Sequence, residues 1–276
     1  MPFKIRYKNY PLTALVNSQV ANRILALLVF EKAIIEGDLA KIIGIGPHLE
    51  DQSHARAAFM VQSDTFRIWL SEDESRSLLV NGCADLESAE SASPLSFVIA
   101  EMTKAIPSNK SVFIVQYFCG YHTRSNDTSK TTMASLLGQL LTQIMAKSMV
   151  FDLSFLDKSD IHDIKKHNLR KMYKLFEKLT EQLPRDSVLI IALDDIHFYE
   201  ISSKKKHTQE LIQRLAYLVE KQKDVVCKLL ITCHGQTLGI QQYFDVKDII
   251  YIPEDLEAND ATNWQMNQIR EAVDSI

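Results

Sequence analysis

Cysteine, proline and glycine are all scarce in this chain: four, seven and eight residues among 276. The four cysteines, Cys83, Cys119, Cys227 and Cys233, form no C-x-x-C pair and show no Cys/His ligand spacing, so a zinc site is unsupported. Four scattered thiols in a chain of this length exclude a disulfide-stapled mini-protein. They fit buried, reduced side chains of a cytoplasmic protein. So little glycine and proline excludes a collagen-like rod. Long hydrophobic runs are missing as well. The most apolar stretch, ILALLVFEKAII from Ile24 to Ile35, is too short to span a bilayer and contains Glu31 and Lys32. The N-terminal residues are basic but lack an apolar segment ending in small residues, so no signal peptide is read. Nor is there an excess of positive charge: 31 Lys+Arg against 35 Asp+Glu leaves a net charge of −4. That balance gives no electrostatic footprint for a nucleic-acid binder. Neither nucleic acid nor membrane is expected as a partner.

What is present is an ordinary globular balance, 46% hydrophobic and 24% charged. Residues 1–70 read as a helical lead-in. Residues 1–16 look irregular, Asn17 or Ser18 is placed to cap a helix running to about Glu36, and Gly37 is expected to interrupt it. DLAKII and residues 50–70 supply further helical stretches. From Ser77 the pattern changes to apolar strands alternating with amphipathic helices. The strands are SLLVNG (77–82), SVFIVQYFCG (111–120), SVLIIALDD (187–195), VVCKLLITC (225–233) and DIIYIP (248–253). Helices are predicted over 94–105, 131–146, 166–183 and 207–222, and the last twenty residues read as a fraying helix. Strands that are apolar throughout, separated by amphipathic helices, predict an α/β domain over 71–276 with a parallel five-stranded sheet covered on both faces. Ligands of such sheets bind beyond the carboxyl ends of the strands. Those ends are Asn81–Gly82, Cys119–Gly120, Asp194–Asp195 and Cys233–His234.

The order of motifs resembles the nucleotide-binding core of the STAND P-loop ATPases, specifically the NACHT-like set abundant in filamentous fungi. The residues that carry the resemblance are FRIWL (66–70), SLLVNG (77–82), YFCG (117–120), SLLGQLLTQI (135–144), VLIIALDDI (188–196) and KLLITCHG (228–235). It covers roughly residues 60–255. The resemblance implies a P-loop NTPase fold, with Gly82, Asp194, Asp195 and His234 at the positions of the family's nucleotide site. It also implies protein partners, reached in such proteins through flanking effector and repeat domains. Neither is recognised in this sequence, which is expected to be a fragment, a truncated product or a stand-alone remnant.

The departures are as informative. A working phosphate loop reads G-x-x-x-x-G-K-[ST], with a lysine bridging the phosphates and a hydroxyl on Mg²⁺. From Gly82 this chain reads GCADLESA, which puts Glu87, Ser88 and Ala89 at the second glycine, the lysine and the hydroxyl. Asp85, Glu87 and Glu90 add negative charge, and each carboxylate about 4 Å from a phosphate costs on the order of 4 kcal/mol. The next lysine, Lys104, lies roughly 16 Å further along the expected helix. Asp194 has two registers. In one it is the Mg²⁺-holding acid and the following paired acids are replaced by His197 and Phe198. In the other Asp194 and Asp195 are the pair and Ile191 replaces the metal-holding acid. A purely structural Asp194 that caps the loop after its strand is the third reading. His234 stands where the family often has an arginine, and a neutral imidazole is a poor phosphate sensor.

Other chemistry is thinner. Cys233, His197 and Asp194 suggest a Cys–His–acid hydrolase arrangement, but adjacent Cys233 and His234 point to opposite faces of a strand. His162 and His167 are poorly spaced for a helical metal pair. Lys204–Lys206 with His207 reads as a solvated helix end. The expectation is therefore a degenerate, non-catalytic pseudo-NTPase core that acts through protein–protein contacts and needs no cofactor. The alternative is a weak ATP- or GTP-binding switch, with Mg²⁺ held through Asp194; an unrelated enzyme or nucleic-acid-binding domain is the lesser alternative.

Overall fold

A computed structural model of the chain describes residues 10–49, 51–84, 93–106, 111–201 and 203–256. The predicted fraying helix and Asp85 to Glu90 of the loop lie outside these residues. Helix α1 (Tyr10–Leu28) begins well before Asn17, so neither Asn17 nor Ser18 is its cap. Instead Asn17 is a buried clamp. Its amide donates to the carbonyl of Phe151 and accepts from the Leu153 amide at 3.2 Å. The break expected at Gly37 falls at Val29, which adopts a left-handed φ of 53°. Gly37 lies inside α2 (Lys32–Ile45). The chain turns at Val29 because the next residue must dock: the Phe30 ring lies so close to Gly138 that a Cβ there would sit 2.4 Å from it.

The expected region 50–70 resolves into α3 (Asp51–Gln62) and α4 (Asp64–Ser71), divided at Ser63. The core then runs β1 (Arg76–Asn81), α5 (Pro94–Ala105), β2 (Val112–Phe118), α6 (Ser129–Ala146), α7 (Lys158–Lys165) and α8 (Leu169–Thr180). It continues with β3 (Ser187–Asp194), α9 (Lys205–Lys221), β4 (Val225–Cys233) and β5 (Ile249–Tyr251). α7 has no counterpart in the sequence reading. It is short, and Asp157 caps it by accepting from the Asp160 amide at 2.8 Å.

The five strands form one sheet in the order β2-β3-β4-β1-β5, and every pairing is parallel. β4 is thus inserted between β1 and β3. The α/β class expected from the apolar strands is the one observed, a five-stranded P-loop-like sheet with helices on both faces. Alternation within each strand fills two cores. Leu189, Ile191 and Leu193 of β3 face the core shared with α1, α6, α8 and α9. Ile190 and Ala192 face the core shared with α3, α4 and α5. The lead-in therefore docks on both faces rather than swinging free. Ala21, Ile24 and Leu28 of α1 enter the first core, while Met60, Phe66 and Trp69 enter the second.

Candidate functional site

The carboxyl ends of β1, β3 and β4 converge where the first turn of α5 arrives. Ser93 and Ser96 build that turn as a reciprocal cap, with Pro94 at its first position. The Ser96 amide donates to Ser93 Oγ at 3.1 Å, and the Ser93 amide donates to Ser96 Oγ at 2.9 Å. This aims the Ser96 hydroxyl across the sheet end, where it donates to Asp194 Oδ2 at 2.6 Å. From β4, the Thr232 hydroxyl donates to Asp194 Oδ1 at the same distance. Ser96, Asp194 and Thr232 are all buried. Burial, reinforced by the neighbouring Asp195, holds the Asp194 carboxyl well above the usual carboxylate range.

Asp195 follows with a left-handed φ of 52° and is fully buried. That turn sends its carboxylate toward β4, where Oδ1 accepts from the His234 amide at 2.7 Å and lies 3.3 Å from His197 Nδ1. Its Oδ2 and the Asn81 amide nitrogen make no hydrogen bond among the described residues. Asn81 Oδ1 accepts from the Thr237 amide at 2.8 Å. Gly82, Asp194, Asp195 and His234, the four residues singled out in the sequence, thus sit together at one edge of the sheet.

The consensus loop also calls for a hydroxyl. Ungapped numbering from Gly82 puts it at Ala89, outside the described residues. The hydroxyl that meets Asp194 belongs to Ser96, at twice the consensus spacing from Gly82. Sequence reasoning missed it because it held that spacing fixed. The available signal was Ser93-Pro94-Leu95-Ser96, a capped helix start directly before an apolar run. Thr232 and Arg56 were missed as well. Arg56 is buried, and its guanidinium reaches from α3 to the carbonyls of Gly82 and Pro253. Burial lowers its pKa.

Ser96 and Asp194 are the hydroxyl and acid that would hold a Mg²⁺ ion. Among the described residues, groups that a triphosphate would need are placed otherwise. Directly before Ser96, where the consensus has lysine, stands Leu95, buried in the core. The amides of Gly82, Cys83 and Ala84 are committed to the carbonyls of Cys233, Gly235 and His234 at 2.7, 2.9 and 3.1 Å. Lys104 lies in the last turn of α5, 3.9 Å from Glu101.

The rival groups resolve differently. Cys233 is buried, and burial pushes its thiol upward, away from the thiolate a nucleophile needs. His167 Nε2 lies 3.3 Å from the Leu27 carbonyl, and no group of three or more His, Cys, Asp or Glu that could hold a metal exists among the described residues. Lys204 is not a solvated helix end. It is buried over the Tyr199 ring, with Nζ donating to Arg124 O at 2.9 Å.

No curated protein matches the chain. The family model described as Nephrocystin 3, N-terminal, matches residues 57–234. That span runs from α3 through the end of β4 and includes Gly82, Ser96, Asp194, Thr232 and His234. A match over more than half of the chain, on a parallel P-loop-like sheet, settles the assignment: the chain belongs to the Nephrocystin 3, N-terminal family, a NACHT-related domain.

Proposed function

We propose that this domain is a pseudo-NTPase: a NACHT-like, STAND-type core of the kind abundant in filamentous fungi, with a degenerate phosphate loop, working as a regulatory protein-interaction module. The observation that carries the reading is Leu95, a buried apolar side chain where a phosphate-binding loop needs its cation. The three committed amides at Gly82, Cys83 and Ala84 support it. The cytoplasm is its proposed compartment, supported by four free cysteines. No helix among the described residues is long and apolar enough to cross a membrane.

A second reading is supported by the Ser96–Asp194 contact, a hydroxyl beside an acid of the kind that holds Mg²⁺ in a nucleotide site. In that reading the domain is a weak ATP- or GTP-binding switch. Calorimetric titration of ATP, ADP and GTP with Mg²⁺, run beside a thermal melt, separates the two. The pseudo-NTPase gives no heat of binding and no rise in melting temperature at millimolar nucleotide. Binding tighter than about 100 μM, roughly −5.5 kcal/mol, overturns it. Loss of that binding in Ser96→Ala would then assign the switch to this pair.

A further inference from the structure

Helix α1 is apolar on more than the stripe it buries. Ala21, Ile24 and Leu28 are buried in the core, whereas the half-buried Val20 and Leu27 lie beside them on the side of α7, Val20 still touching that core. Between the two helices runs a groove of about 910 Å³, floored by Val20, Leu27, Leu153, Leu156 and Ile161. From Asn17 to Leu27 it extends about 15 Å at 1.5 Å per residue, room for three turns of a helix. It shares no residue with the carboxyl-edge site.

Its charges are unbalanced. Arg23, Lys158 and Lys165 line it as cations, and none of the three forms an ion pair among the described residues. The two acids beside them are already engaged. Asp152 accepts from the Ser154 amide and hydroxyl at 2.8 and 2.9 Å. Asp157 caps α7. The lining thus carries three cations without an ion-pair partner and two acids, a formal excess of one positive charge around an apolar trough. An apolar trough between two helices is the setting for helix-in-groove recognition, and the cationic rim selects the sign of the occupant.

We propose that the groove between α1 and α7 seats an acidic amphipathic helix of a protein partner, its apolar stripe on the floor and its carboxylates against Arg23, Lys158 and Lys165. This rests on the interaction-module half of the proposed function and is independent of whether nucleotide binds.

The test is fluorescence anisotropy on the full chain. One probe is a labelled synthetic helix about five turns long, with leucine on one face and glutamate on its flanks. The other carries lysine in place of every glutamate. The glutamate helix is expected to bind at least about tenfold more tightly than the lysine helix. The exposed double substitution Arg23→Glu, Lys165→Glu should invert that preference and leave the melting temperature unchanged. Equal binding of the two helices, no binding of either, or a preference that survives the charge reversal would overturn the proposal. So would a dimer in sedimentation that Ile161→Asp dissociates, since the occupant would then be a second copy. Nucleotide binding in the calorimeter would sink the pseudo-NTPase reading and leave this result standing.

Discussion

Gly82 has space for a hydrogen and little more: a Cβ there would lie 2.3 Å from the His234 carbonyl oxygen. Its φ is not in the left-handed region, so close approach of β1 to the end of β4 is what demands glycine. In the sequence the same residue reads as the opening of a phosphate loop. Gly82→Ala should therefore destabilise the fold by about 1–3 kcal/mol, seen in denaturant unfolding, whether or not any nucleotide binds. An unchanged midpoint would show that the strand ends part freely. Asp194 gives a pH prediction. Its folded carboxyl titrates above the unfolded one, so the folded chain keeps a proton that the unfolded chain releases. Its contribution is full below about pH 4 and declines as pH rises through the unfolded pKa toward the folded one. Asp194→Asn removes that decline and can still hydrogen-bond both hydroxyls. The melting temperature of the variant relative to the native chain should rise between pH 4 and pH 7. A constant difference across that range would mean that Asp194 is not held protonated.

At the scale of elements, α6 explains the Gln in SLLGQLLTQI. β2 is an edge strand, with no neighbouring strand on one side among the described residues. Gln139 accepts from the Gln116 amide at 3.1 Å and donates to its carbonyl at 2.7 Å. One turn on, Gln143 does the same to Ile114, at 3.2 and 2.6 Å. A further turn on, Lys147 donates to the carbonyl of Val112. Residues four apart on a helix advance about 6 Å and residues two apart on a strand about 6.6 Å, so the two ladders stay in step. Replacing both glutamines by alanine leaves four strand groups without these partners. The cost should be about 2–4 kcal/mol at roughly 1 kcal/mol per bond. Light scattering on heating should show earlier aggregation through the bared edge. A variant that melts like the native chain without scattering would mean that the edge needs no cover.

For the whole molecule, the lead-in is part of both cores. Trp69 and Phe66 are fully buried, and Trp69 Nε1 donates to the Arg76 carbonyl at 3.0 Å, where β1 begins. Arg56 ties α3 to the far end of the same strand. A chain starting at Glu72 would expose the apolar faces of β1, α5 and α6. It should lose its cooperative melt and bind an apolar dye. If it melts cooperatively within a few degrees of the full chain, the lead-in is an appendage and not a layer.

The five strands, the helix faces packed against them and the α/β class were legible in the amino-acid order, because parallel strands buried on both faces must be apolar throughout. The cluster of Gly82, Asp194, Asp195 and His234 followed from the same logic, since residues at the strand ends gather at one edge. The break at Val29 was hidden, because it depends on Phe30 meeting Gly138 on α6, far along the chain. Ser96 was hidden for the same reason: its hydroxyl meets Asp194 only once α5 is seated on the sheet. Local pattern determined which segments became strands and helices. Contacts between residues distant in sequence, which no local pattern encodes, decided where the chain turned and which hydroxyl faced the acid.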